Sequence, residues 1–174
     1  MLSSAVVVPV VQAASATLVV VRRAVHLRRN PDQLAFPGGL RDPRDVDLRA
    51  TALREFEEEL GLPAARARIV AALDPVVTLA GTVEIAPFVA VLAPPVRFAP
   101  NDEIAAVHEI PLDAIYAPDA VHEGDEPVVH EGATVLVPSV LFDHGALHVW
   151  GATARILHAF IARFPEPGAL RALA

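Results

Sequence analysis

The chain has 174 residues, 53% of them hydrophobic, with a formal net charge of −7 and no cysteine. That length suits one domain, residues 1–174, with a full core; the acidic balance gives no footing for general nucleic-acid binding, and missing thiols exclude disulfides and thiolate chemistry. Mean hydropathy is positive, yet no uninterrupted apolar run reaches the length of a spanning helix, so no membrane partner is expected.

The N-terminal stretch from Ala5 to Ala16 is apolar, and Ala14-Ser15-Ala16 imitates a leader-cleavage site. No Lys or Arg precedes it, and Pro9 and Gln12 interrupt it. Two strands, 5–11 and 17–23, joined by Gln12-Ala13-Ala14-Ser15, fit better, and a cytoplasmic location is expected. Arginines cluster next at Arg22, Arg23, Arg28 and Arg29; all fourteen basic residues are arginine, whose planar guanidinium suits phosphate. Phe36-Pro37-Gly38-Gly39 makes a glycine-rich turn ahead of a helix read over 46–60, with Asp45 or Asp47 as its N-cap and Gly61 as its stop. Val/Ile/Thr-rich runs predict strands at 68–72, 83–92 and 105–110. Pro94-Pro95 and the Pro118 to Pro127 stretch read as loops, and a short helix follows Pro111. A closing helix over 151–164 carries Ile156, Phe160 and Phe164 at core spacing and ends at Pro165.

The helix over 46–60 carries the chemistry. Residues three and four apart share a helical face, so Glu55, Glu58 and Glu59 project together while Glu57 points elsewhere. Leu53, Phe56 and Leu60 form the neighbouring apolar stripe that would bury the helix against a sheet. Like charges this close repel, and a hard cation such as Mg²⁺, which takes oxygen ligands and bridges carboxylates to phosphates, removes the conflict. The rival reading is a solvated acidic face.

The segment Arg54-Glu55-Phe56-Glu57-Glu58-Glu59-Leu60-Gly61-Leu62 resembles the second half of the box of the Nudix hydrolases, G-x5-E-x7-R-E-U-x-E-E-x-G-U, lying at about 39–62. The first half departs from it. Counting forward from Gly39, the expected glutamate falls on Asp45; counting back from Arg54 it falls on Val46, so one residue is inserted. Asp42, Asp45 and Glu103 are the candidate replacements. Upstream, Val19-Val20-Val21-Arg22-Arg23-Ala24, Arg28, Asp32 and Phe36-Pro37-Gly38-Gly39 keep every spacing of the coenzyme A pyrophosphatase branch motif, with valines for its leading L-L-T and Asp32 for a glycine. Leu73-Asp74-Pro75, Ala86-Pro87-Phe88-Val89, Asn101-Asp102-Glu103-Ile104 and Trp150-Gly151-Ala152-Thr153-Ala154-Arg155 resemble further stretches of that branch.

The resemblance implies an α/β fold, an α/β/α sandwich around a mixed sheet, and hydrolysis of a nucleoside diphosphate linkage. It implies Mg²⁺ or Mn²⁺ on Glu55, Glu58 and Glu59, with Arg54 orienting a carboxylate and the general base left open among the box glutamates and Glu103. Arg23, Arg28, Phe36, Gly38 and Gly39 would meet the substrate, coenzyme A or acyl-coenzyme A, and the products would be 3′,5′-ADP and 4′-phosphopantetheine. ADP-ribose, a dinucleotide or a nucleoside triphosphate is the alternative substrate, and a nucleotide-binding module without turnover is the rival of another class. The partner expected is this small molecule, with a homodimer left open.

His122, Glu123, His130 and Glu131 match no compact zinc spacing and read as an acidic solvated loop. His108 and Glu109 read as cleft-lining or as strand-end surface residues. His144, His148 and His158 suggest no arrangement, Trp150 reads as a core anchor, and Ser139 lacks the G-x-S-x-G setting of a serine hydrolase.

Overall fold

The computed structural model describes residues 1–130 and 132–173. The strands are β1 (Leu2–Val11), β2 (Thr17–Arg23), β3 (Leu34–Ala35), β4 (Gly38–Leu40), β5 (Arg68–Ala72), β6 (Val76–Val77), β7 (Val83–Leu92), β8 (Ile104–Pro111), β9 (Val121–His130), β10 (Ala133–His144) and β11 (Leu147–Val149). The helices are α1 (Leu48–Leu60), the single turn α2 (Leu112–Ile115) and α3 (Gly151–Arg163).

β1 to β8 form one mixed sheet along the path β3-β2-β1-β7-β5, with β4 on β1, β6 on β7 and β8 on β2. β1 and β7 run parallel over ten residue pairs, and the other ladders of this sheet are antiparallel. β1 is buried on both faces, because alternate side chains leave a strand on opposite sides. Val6, Val8 and Val10 enter the core under α3, with Phe142, Ile156 and Phe160. Ala5, Val7 and Val11 enter the core under α1, with Ala52, Phe56 and Leu60. The result is the expected sandwich, a mixed sheet between two helices. Within the described residues no helix is long and apolar enough to cross a membrane.

β1 and β2 pair only near their turn, at Val10–Leu18 and Val11–Thr17, and then part. The segment 34–40 wedges between them, with β3 on β2 and β4 on β1. The Phe36–Gly39 turn is thereby set into the sheet, fixed by the Val7 amide donating to the Pro37 carbonyl at 2.9 Å.

The loop expected over Pro118 to Pro127 is corrected: residues 121–130 are β9, in a separate antiparallel sheet of order β11-β10-β9. Pro127 is tolerated because β9 is an edge strand, where a missing N–H breaks no ladder. His122 and Glu123 therefore lie on a strand, as does the backbone of His130; Glu131 lies outside the described residues.

Candidate active site

α1 starts where Asp47, in extended backbone, accepts a hydrogen bond from the Ala50 amide at 2.7 Å. It stops at Gly61, whose φ of +62° suits glycine, and a Cβ there would sit 2.3 Å from the Ala99 carbonyl oxygen. That close approach lets the following strand region dock: the Ala99 and Asn101 amides donate to the carbonyls of Leu60 and Glu59 at 2.8 and 3.2 Å. The Ala24 amide donates to the Glu103 carbonyl at 2.8 Å, so Glu103 is tied both to the end of α1 and to the start of the arginine loop.

On α1, Glu59 is 3% exposed, between the sheet and the Phe36–Gly39 turn. Its Oε2 accepts from the Gly38 amide at 3.0 Å, and its Oε1 lies 3.7 Å from Arg23 Nη1. Burial is the main force pushing its carboxyl up to about 7; Gly38 and Arg23 oppose this, and the charges of Glu55 and Glu103 add to it. Burial likewise raises Glu55, against the pull of Arg54. Glu103 thus shares the electrostatic neighbourhood of Glu55 and Glu59. Glu57 points away, accepting from the Ala64 amide at 2.9 Å.

Arg54 organises the rest. Its Nε and Nη2 grip Asp45 Oδ1 and Oδ2 at 3.0 and 3.1 Å, while Nη1 reaches Glu55 Oε1 at 2.9 Å and Glu58 Oε2 at 3.0 Å. Asp45 also accepts from the Thr51 hydroxyl and the Asp42 amide, both at 2.9 Å, and the Arg54 guanidinium holds its carboxyl well below the usual carboxylate range. Asp42 turns outward to Arg44, which pulls it to about 2. Of the three candidate replacements for the missing glutamate, Asp45 is the one in Arg54's grip.

Both turn glycines sit at close approaches, Gly38 against backbone and Gly39 against the end of a side chain. A Cβ on Gly38 would lie 2.3 Å from the Ala5 carbonyl oxygen, and one on Gly39 would lie 2.5 Å from the Glu55 carboxylate. Asp32, standing where the branch motif has glycine, adopts φ +60°, the left-handed region glycine favours, and its side chain and carbonyl both accept from Arg22 at 3.2 Å.

A cavity of about 630 Å³ adjoins this cluster, and Arg23, Phe36 and Gly38 lie in its wall. Arg23 Nε is buried without a hydrogen-bond partner. Arg28 is exposed and outside that wall, on the loop that sends Asn30 and Gln33 to it. Trp150 is corrected from core anchor to half-buried cavity wall: Gly151, at φ +62°, turns the chain sharply into α3 beside it. His108 lies mid-strand opposite Val20, half-buried, with its pKa lowered by burial and by Arg22; Glu109 accepts from the Thr17 hydroxyl at 2.8 Å.

Two features went unread in the sequence. Val128, Val135 and Val137 line the cavity from β9 and β10. Read as alternation, 135/137 would have pointed inward, but Pro, Gly and acidic neighbours hid the strands. His148, for which no arrangement was expected, places Nδ1 2.7 Å from Asp143 and Nε2 2.8 Å from Glu126.

The donor chemistry suits a hard divalent cation: Glu55, Glu58 and Glu59 offer carboxylate oxygens from one helical face, and burial and mutual repulsion disfavour the ionised forms of Glu55 and Glu59. Among the described residues no three His, Asp or Glu side chains stand where one ion would bind them all, since Arg54 draws Glu55 and Glu58 while Gly38 holds Glu59.

The family described as NUDIX domain matches residues 1–132. The chain belongs to the Nudix family. An uncharacterized Nudix hydrolase, NudL, of Salmonella paratyphi B is 36% identical over 155 residues, covering 88% of this chain and 78% of that one. Among solved structures, a MutT/nudix family protein from Enterococcus faecalis is similar with a TM-score of 0.62 and 18% identity, over 99% of this chain and 67% of that one. A C. elegans Ap4A hydrolase in a binary complex is similar with a TM-score of 0.55 and 21% identity, over 68% of this chain and 87% of that one. These two likenesses concern the Nudix fold. Nudix hydrolases generally use divalent metal ions and bind nucleotide diphosphate substrates.

Proposed function

We propose that this chain is a single-domain Nudix diphosphatase that hydrolyses coenzyme A or acyl-coenzyme A to 3′,5′-ADP and 4′-phosphopantetheine or its acyl form. The observation that carries the reading is the conjunction of the α1 carboxylate face with Arg23, which stands both in the cavity wall and 3.7 Å from Glu59. The branch motif around Arg23, Ala24, Arg28 and Phe36–Gly39 supplies the substrate class.

Glu55, Glu58 and Glu59 would hold Mg²⁺ or Mn²⁺, which when bound neutralises diphosphate charge and makes water a competent nucleophile at neutral pH. Arg54 and Asp45 keep Glu55 and Glu58 in place. Gly38 and Gly39 let the turn come close without side chains in the way. Arg23, with a buried N–H unpartnered, turns toward the diphosphate. Arg28, exposed on the loop that also reaches the cavity, is the cation for the 3′-phosphate. Water adds to phosphorus, the bridging oxygen leaves with one product, and Glu103 or a box glutamate takes the proton.

Chromatographic product analysis of coenzyme A with the purified protein tests this. The two products should appear in equal amounts only with Mg²⁺ or Mn²⁺; no cleavage with metal present would refute it.

A further inference from the structure

The cavity beside the carboxylate cluster carries little charge and much apolar surface. Arg23, at the Glu59 end, is the one charged side chain among its described lining residues. Elsewhere its lining includes an aliphatic and aromatic wall from Leu79, Ile85, Val128, Val135, Val137 and Trp150, beside the uncharged polar side chains of Thr78 and Thr153. In the β9–β10 ladder Val135 faces Val128, and Val137 faces Glu126, so the three valines share one face of the hairpin. Leu136, paired with Pro127, points to the other face. Leu79 is 52% and Val135 42% exposed, so two large aliphatic side chains of this wall are left open to water. A second charged group of a ligand would meet no cation there and would lose hydration without compensation. An uncharged apolar group would instead cover the open wall.

We propose that this wall, to which Val135, Val137 and Trp150 contribute from beyond the family match, holds the apolar acyl chain of an acyl-coenzyme A. Val135, Val137, Trp150 and Leu79 then set a preference for acylated over free coenzyme A. The proposal rests on the coenzyme A reading, and the two can fail separately.

The test compares kcat/KM for coenzyme A with that for its acetyl, hexanoyl and decanoyl thioesters, alongside calorimetric binding of decanoyl-pantetheine, which lacks the diphosphate. Catalytic efficiency should rise with chain length, by up to about fourfold per methylene reached. Val135→Glu should lower the decanoyl-to-free ratio, and the affinity for decanoyl-pantetheine, by about tenfold. Leu136→Glu, one residue along on the opposite and exposed face, should keep both. A flat chain-length profile, or equal losses in the two variants, would overturn the subsite. If coenzyme A is cleaved but decanoyl-pantetheine does not bind, the subsite falls and the reaction stands. If decanoyl-pantetheine binds with this dependence on Val135 but no coenzyme A is cleaved, the subsite stands and the reaction falls.

Discussion

Arg54 and Asp45 meet through two parallel bonds of 3.0 and 3.1 Å, a fork-to-carboxylate pair that ties the loop ahead of α1 to the helix bearing the site glutamates. The loop has one residue more than the family spacing, and its carboxylate is one methylene shorter than glutamate; here the two departures occur together. Since the same guanidinium also holds Glu55 and Glu58, Asp45 acts on the site through Arg54.

Asp45→Asn should therefore leave a folded protein that needs roughly 10–100 times more Mg²⁺ for half-maximal activity, the usual cost of losing a partner behind a metal ligand. A metal titration of the variant checks it. Because the pairing lowers the carboxyl in the folded state, the stability it contributes is present above the ordinary carboxylate range and lost as pH falls through the lowered value.

Glu59→Gln should cut turnover by about a hundredfold or more, while the fold is kept. In the metal-free protein the variant should be the more stable at high pH. The folded carboxyl is raised to about 7, so Glu59 favours the folded state below its unfolded value, and that contribution is lost as pH rises through 7. Urea unfolding in chelator should show the variant gaining, on the order of 2–3 kcal/mol at pH 8, and losing that advantage by pH 5. A wild-type protein equally stable at both extremes would contradict the buried-carboxylate assignment.

The two turn glycines should separate fold from function. Gly38→Ala drives a methyl into the β1 backbone and should cost on the order of 1–3 kcal/mol or more in thermal unfolding. Gly39→Ala meets only the end of the Glu55 side chain, which can swing aside. Its melting temperature should stay near wild type while kcat falls by as much as about a hundredfold through misplacement of Glu55. Similar melting and activity losses in both would remove the distinction.

His148 bridges Asp143 and Glu126 with both ring nitrogens, and those hydrogen bonds raise its pKa. Its contribution is thus fully present below the free imidazole value and lost as pH rises through the raised one. His148→Ala should destabilise the protein at pH 6 more than at pH 9, by thermal denaturation. An equal loss at both would show that packing, not protonation, is what His148 provides.

Much of this architecture was legible residue by residue. β2 and β7 fall where apolar runs predict them, because central strands with long buried stretches leave continuous Val/Ile/Ala signals; β5, at the sheet edge and only partly buried, was legible from its short Ile-Val-Ala-Ala run. Asp47 and Gly61 bound α1 within two residues of its reading, since caps act locally. The β9–β11 sheet was not legible: Gly124, Asp125, Pro127 and Pro138 are turn-forming residues that an edge strand and an open stretch of β10 can tolerate. The cavity role of Trp150 was hidden for another reason. Whether a tryptophan at a strand end faces core or cavity depends on the hairpin packed across from it, which its neighbours in sequence do not encode.

The most direct measurement is a side-by-side kcat/KM for coenzyme A, ADP-ribose and a dinucleotide polyphosphate with Mg²⁺, repeated for Arg28→Ala with coenzyme A and its analogue lacking the 3′-phosphate. Coenzyme A should be the preferred substrate, and Arg28→Ala should weaken it more than the analogue. A preference for ADP-ribose or the dinucleotide, or equal weakening in the variant, would contradict the account.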